Sequence, residues 1–349
     1  MNHEMRLARV DLGPGWIDLG YGEPVIIQKI LHKWLNIAMK PSPLPDINDL
    51  LHAPYQPPKG MKELTNFLEK KYGAPVVVTN GAKQGIAAVM YALRQKGHTA
   101  CTMHRPYWTS TPSIIMHQGL TVTYLDEVNN HAKAVLITSP NNPDGKELTQ
   151  AQMRELTADA KAEGITLIHD AAYYSNIYTG EDPVENLGDI QIFSFAKLYG
   201  LSGLRIGYVV CRDESFVPLV TEFVERSCSG VSTASQHMAL AVETHFHENP
   251  ELFKGFQKEC REAIAASRAE LANLDPEVLQ AETPTSNSMF CWAKVGPKFD
   301  ANKAKVNVID GEAFGKPGYV RFNIAVDPDL IKSAINRLNG EIDEQGTGS

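Results

Sequence analysis

Cysteine is scarce and scattered in this chain. The five (Cys101, Cys211, Cys228, Cys260, Cys291) are odd in number and fall at no disulfide-framework or metal-ligand spacing, so free thiols in a reducing, cytoplasmic setting are expected. No uninterrupted apolar run approaches the ~20 residues that a membrane span needs. Met1 to Val10 carries charge without an apolar core, and no signal peptide is expected there. Acidic residues (41) outnumber basic ones (33), and no Lys/Arg cluster offsets the net charge of -8. That balance excludes a general attraction for nucleic acid or anionic membrane. No internal repeat occurs. His245 and His247 stand two apart near His237 but lack a cysteine or carboxylate at ligand spacing, so no metal site is expected.

What is present is ordinary globular material. The 349 residues, 43% hydrophobic and 21% charged, suffice for one large domain plus a smaller one. Met61, Leu64, Phe67 and Leu68 fall at helical spacing, which predicts a helix starting after Gly60 and ending by Gly73. The β-branched run Val76–Val78 enters a small-residue turn, and Ile86, Val89, Met90 and Leu93 then repeat as one face of a helix. Further apolar strands run over Ala134–Thr138, Thr166–His169, Ile190–Phe195 and Ile206–Cys211. Glu251 to Leu274 reads as a long amphipathic helix, Pro41, Pro43 and Pro45 as a connector, and 341–349 as a flexible tail. Strands alternating with helices imply an α/β fold on a mostly parallel sheet.

Several strand ends carry chemistry. Lys197 follows a buried strand, and lost hydration there would lower the pKa of its ammonium and free the amine for Schiff-base formation. Gly200 and Gly203 would let the next loop turn tightly, bringing Arg205 back to clamp an anion beside that lysine. A snorkelling surface lysine is the bland alternative. The strand–turn–helix at Asn80-Gly81-Ala82-Lys83 offers free N–H groups and a helix dipole to a phosphate, though many such turns bind nothing. Arg321 lies in the apolar strand Gly318–Ala325, where an unpaired charge is costly. It wants a carboxylate, which a structural ion pair or a bound substrate would supply, and the residues leave both readings open.

Ser194-x-x-Lys197 followed by Gly200-x-x-Gly203-x-Arg205-x-Gly207 is similar to the signature of fold-type I pyridoxal-phosphate (PLP) enzymes, specifically the class I/II aminotransferases. The resemblance extends from Leu19 to Ala325 with its pieces in order. It implies a seven-stranded PLP-transferase sheet flanked by helices over residues 40–236, with a smaller α+β domain from 1–39 and 237–340. Pyridoxal 5'-phosphate is the implied cofactor, held on Lys197 as an aldimine. Ser194 and Arg205 join the cofactor site, and the turn at Gly81, Ala82 and Lys83 cradles its phosphate through the backbone. Lys83 departs from the small or hydroxyl residue common there, and its side chain would either add charge to the phosphate or face solvent.

Asn142, second of Asn-Asn-Pro-Asp-Gly, and Tyr173 would hydrogen-bond the cofactor's phenolic oxygen. Asp170 would sit under the pyridine nitrogen, where a carboxylate keeps the ring electron-withdrawing. Trp108, with Tyr107 as its rival, would cover one ring face. Leu19-Gly20-Tyr21-Gly22-Glu23-Pro24 resembles the segment that closes over substrate, which with Asn142 and Arg321 makes Gly22 a substrate contact. Tyr55, in Tyr-x-Pro-Pro-x-Gly, would reach the other subunit's phosphate and make the enzyme a homodimer. A loop at Gly230–Gln236 resembles one that supplies a hydroxyl to the partner.

The implied reaction moves an amino group between an L-amino acid and a 2-oxo acid. A PLP-dependent C–S lyase or decarboxylase, or a non-catalytic PLP-fold protein, are the alternatives. No second arginine for an acidic side chain can be picked out, so aspartate-type specificity has no support in these residues. The Ser139–Tyr174 wording also resembles the alliinase and tryptophan-aminotransferase-related branch, but Gly200-Leu201-Ser202-Gly203 lacks that branch's His-Ala, which leaves the subfamily open.

Overall fold

The computed structural model describes residues 12–38, 54–127, 132–182 and 187–341. The Met1–Val10 stretch, the Pro41–Pro45 connector and the tail after Glu341 lie outside the described residues. The described chain opens with β1 (Ile17–Asp18) and helix α1 (Val25–Ala38). Helix α2 (Lys62–Tyr72) starts after Gly60, and Gly73 stops it in the left-handed conformation, its N–H bonded to Glu69 O.

A seven-stranded sheet then builds up. Its strands are β2 (Val76–Thr79), β3 (Ala100–Met103), β4 (Thr121–Tyr124), β5 (Ala134–Thr138), β6 (Thr166–Asp170), β7 (Ile190–Ser194) and β8 (Gly207–Cys211). Their spatial order is β2-β8-β7-β6-β5-β3-β4. Neighbours pair in parallel from β7 through β4, whereas β8 runs antiparallel to both β2 and β7. The reversal has a local cause. A parallel return needs a crossover, usually a full helix. The β7–β8 link holds only a four-residue helix at 195–198 and a 3-10 turn at 202–204.

Helices flank this sheet. Helix α3 (Gly81–Gln95) packs on β7 and β8 through Ile86, Val89, Met90 and Leu93, all fully buried. Burial of one such side chain stabilises by roughly 1.5–3 kcal/mol. This face is the one the spacing predicts.

The smaller α+β unit draws on both ends of the chain. A four-stranded antiparallel sheet runs in the order β12-β13-β10-β9, with β9 (Leu279–Ala281), β10 (Phe290–Val295), β12 (Ile309–Asp310) and β13 (Tyr319–Asn323). The N-terminal β1 pairs in parallel with β11 (Val306–Asn307). From α1, Trp34 Nε1 donates to Glu259 (2.8 Å) and Ile26 N to Ala325 O (3.0 Å). The expected Glu251–Leu274 helix is Pro250–Ala269, tightening to a 3-10 turn over Glu270–Asn273. The difference is local: Leu274-Asp275-Pro276 follows, and a residue before proline avoids helical geometry.

Candidate active site

Because β2, β3, β5, β6 and β7 run the same way, their carboxyl ends share one edge, where open α/β sheets bind ligands. Antiparallel β8 brings its beginning to that same edge, and with it Arg205. The register makes this concrete. Thr138 pairs with Asp170 and Asp170 with Ile192, while Gly207 pairs with both Thr79 and Ser194.

Lys197 projects from the short helix 195–198 at the end of β7. Its surroundings push the ammonium down to about 8. Loss of hydration is the main cause, the Arg321 and Arg205 guanidinium groups add repulsion, and Glu23 opposes. Nζ donates to the Gly22 carbonyl and lies 5.9 Å from the Tyr173 ring centre. An amine poised this near neutrality is a usable nucleophile and base.

Asn142 ties three expected residues together. Its Nδ2 donates to the Tyr173 hydroxyl (3.2 Å), and its Oδ1 accepts from Arg321 (3.1 Å). Arg321 also donates to the Gly20 carbonyl at 2.6 Å. Its Nε is buried without a partner, and Arg321 forms no salt bridge among the described residues. The structural ion pair is therefore not what holds this arginine. Phe290 and Phe314 lie 4.4 and 5.0 Å from the guanidinium carbon, which the sequence offered no way to foresee. Packed rings leave the guanidinium's edge as its route to a ligand, and that edge matches a carboxylate. Desolvation lowers Arg321 to about 10, so it remains charged at neutral pH.

Asp170 is buried at the end of β6 and forms no salt bridge among the described residues. Burial raises its carboxyl to about 6 although the Ala172 amide and Thr138 hydroxyl favour the ionised form. A buried carboxylate without a cation is costly. It is the group that a protonated ring nitrogen would satisfy. Neighbouring His169 faces elsewhere: Gln191 Nε2 lies 3.2 Å from its Nδ1 and the Ser139 carbonyl 2.9 Å from its Nε2. Burial lowers this imidazole to about 4, and it packs as a neutral group.

Just after β2, at the same edge, Gly81 has φ +77°, and a Cβ placed there would meet Arg205 Nη2 at 2.9 Å. Arg205 is thus parked over the N-terminus of α3, itself in the left-handed region at φ 51°. Gly200 makes the expected tight turn at φ +71°, but Gly203 has no left-handed φ and open space around it. The second reversal falls on Arg205 instead. Ala82 is half-buried beside Gly207, whose added Cβ would meet the Ala82 amide at 2.9 Å, and Ser194 is buried. The Lys83 side chain is exposed, its Nζ 5.8 Å from the Trp108 ring. Tyr107 is engaged elsewhere, stacked on Tyr124 (5.8 Å) with its amide bonded to Phe314 O (3.2 Å). Trp108 is the freer ring.

The residues fit a PLP-sized ligand: a cationic cradle at Gly81 and Arg205, a buried uncompensated carboxylate, a near-neutral lysine and a buried guanidinium that faces no carboxylate among the described residues. Tyr55 does not join them. It is 92% exposed, on a loop packed against the 230–233 segment, where Thr233 Oγ1 donates to Pro54 O at 3.1 Å.

Comparisons with known proteins place the chain in a family. The profile of the family described as "Aminotransferase class I and II" matches residues 48–338. The chain is 26% identical over 337 residues to a probable aspartate/prephenate aminotransferase of Aquifex aeolicus, covering 83% of this chain and 84% of that protein. It is 29% identical over 322 residues to the aspartate aminotransferase of Thermotoga maritima, covering 81% and 82%. Tryptophan aminotransferase-related protein 2 of Oryza sativa subsp. japonica is 28% identical over 312 residues, or 76% of this chain and 60% of that one. In fold, the chain is similar to a Thermus thermophilus aspartate aminotransferase double mutant, with a TM-score of 0.76 at 20% identity over 94% of this chain and 92% of the other.

Proposed function

This chain belongs to the class I and II aminotransferase family and is a pyridoxal 5'-phosphate-dependent transaminase; we propose that Lys197 holds its cofactor and that Arg321 holds the α-carboxylate of an L-amino-acid donor. The observation that carries this reading is the pairing of a lowered lysine amine with a buried guanidinium that has no carboxylate partner among the described residues, joined through Asn142 and Tyr173. When bound, PLP supplies an aldehyde that a primary amine can capture and an electron sink for the bonds at the donor's Cα.

The protein's own groups do the rest. Arg205 and the amides at Gly81, Ala82 and Lys83 hold the phosphate, with Ser194 beside them. Asp170 holds a proton on the ring nitrogen, offsetting the cost of its own burial. Trp108 covers one face, and Asn142 and Tyr173 fix the phenolic edge. Lys197 Nζ takes the donor's Cα proton and gives a proton to the cofactor's former aldehyde carbon, a role that suits an amine lowered to about 8. Gly20 and Gly22, whose carbonyls now cap Arg321 and Lys197, must shift as substrate enters.

We place the large unit at 40–236, the smaller at 1–39 with 237–340, and the protein in the cytoplasm. The last rests on five free cysteines; among the described residues no helix is long and apolar enough to cross a membrane. Tyr55 and Thr233 lying against one shared loop supports a homodimer in which both serve the partner's site.

The test is covalent capture. Borohydride treatment of the wild-type holoenzyme adds one pyridoxyl phosphate group (the cofactor less its aldehyde oxygen, plus the hydrogen from reduction) to a peptide containing Lys197, whereas Lys197→Ala shows no such adduct and no keto-acid formation from any donor. A donor screen starts with aspartate, after the relatives' names. An adduct on another lysine removes Lys197 from this role.

A further inference from the structure

Tyr178 lies outside every motif above, yet it touches the lysine. It sits in the helical turn α4 (Asn176–Thr179) and is fully enclosed, with 1% of its surface exposed. Its hydroxyl donates to the main-chain carbonyl of Lys197 at 3.0 Å. That carbonyl ends a helix of only four residues, 195–198. The amide in position to reach it, that of Leu201, bonds to Phe195 O instead (3.3 Å). Without Tyr178 the carbonyl would be one of the orphans that every helix end leaves.

The same ring meets Tyr173 edge-on, with centres 5.6 Å apart and planes at 80°. Phe290 meets Tyr173 edge-on from another direction at 5.8 Å and 75°. Tyr173 therefore has its ring orientation set by two neighbours while its hydroxyl serves Asn142. Tyr178 is itself anchored. Its carbonyl accepts from the Asn287 amide at 2.7 Å, Asn287 Nδ2 donates to Ile177 O at 3.1 Å, and Arg261 clasps Asn176. Burial holds the phenol far above its ordinary range, which keeps the hydroxyl protonated and always able to donate.

We propose that Tyr178 is a positioning residue: one hydrogen bond fixes the backbone from which Lys197 reaches out, and its ring packs edge-on with Tyr173 to fix that ring. The inference rests on the assignment of Lys197 above. It predicts a selective defect. A variant lacking the hydroxyl should capture the aldehyde form of the cofactor poorly, because capture needs the amine in place. It should bind the amine form, pyridoxamine 5'-phosphate, as the wild type does, since that form makes no bond to lysine.

The experiment compares wild-type protein, stripped of cofactor and reconstituted, with Tyr178→Phe, which keeps the ring. The rate of pyridoxal 5'-phosphate capture, followed by visible absorbance, should fall about fivefold, the net worth of one hydrogen bond. The dissociation constant for pyridoxamine 5'-phosphate should stay within about twofold by the same measure. Capture unchanged, or both quantities falling together, overturns the proposal, because a purely structural role moves them in step. Tyr178→His, whose ring keeps an N–H donor, covers a phenylalanine variant that does not fold: capture within about twofold of wild type supports the role. Capture and pyridoxamine 5'-phosphate binding falling together count against it. Lys197→Ala run alongside separates the two claims. If it still forms an adduct, the lysine assignment fails. If it does not and Tyr178→Phe captures normally, only the Tyr178 role fails.

Discussion

On the reading proposed above, Asp170 is a single residue that gives up stability for chemistry. Its carboxyl is raised to about 6 by burial, so the folded chain holds the proton more tightly than the unfolded one. The sign follows from linkage: this residue's contribution is most favourable below the unfolded value near 4, and it is lost as pH rises through about 6, by about 3 kcal/mol. Cofactor-free Asp170→Asn should therefore melt higher than cofactor-free wild type at pH 7.5, and the gap should close below about pH 4 in calorimetry across pH. The same variant should lose on the order of 100-fold or more in single-turnover transamination, since no carboxylate then keeps the ring electron-withdrawing. A melting gap independent of pH would show that something other than ionisation sets it. Asp170 was legible because its chemistry is carried by one residue type at a strand end. Arg321 was half legible: the buried charge was plain, but whether a protein carboxylate faced it depended on residues far away in the chain.

At the scale of the element, the strand–turn–helix at 76–95 depends on backbone that only glycine adopts freely. Gly81 has a left-handed φ and lies against Arg205, so Gly81→Ala meets both a conformational penalty and a clash. A left-handed alanine costs roughly 1–2 kcal/mol before the arginine moves. Gly81→Ala should lower the melting temperature and weaken binding of the phosphorylated cofactor at least about tenfold, the loss of one strong charge-assisted contact. Gly203→Ala, with ordinary φ and open space, should change neither. Fluorescence titration with pyridoxal 5'-phosphate reads both variants, and equal effects would refute the contrast. From spacing alone Gly200 and Gly203 looked alike. Their difference arises from Arg205 taking the second reversal, a choice made by the antiparallel entry into β8.

Across the whole molecule, Tyr55 is the residue that the single chain leaves unexplained. A tyrosine exposed to 92% beside the 230–233 segment suits a surface completed by a second copy. If each Tyr55 serves its neighbour, mixed dimers of Tyr55→Ala and Lys197→Ala chains contain one intact site. An equal mixture, unfolded and refolded together, should recover about a quarter of wild-type activity, because half of random pairings are mixed and each has one working site. Recovery no greater than the mean of the two parents would place Tyr55 outside the partner's site.

The amino-acid sequence by itself determined which chemistry this protein carries. A lysine, an aspartate and an asparagine-rich turn each follow an apolar strand, and such patterns are local: a few residues set both the strand and the group at its end. Tertiary structure alone decided what those groups meet. The antiparallel β8 that sets Arg205 against Gly81, the phenylalanines packed on Arg321, and the tyrosine beneath Lys197 are contacts between separate elements of the fold. Contacts of that kind leave no periodic trace, because packing selects an apolar or aromatic side chain by shape, and many residues of ordinary spacing satisfy the same shape.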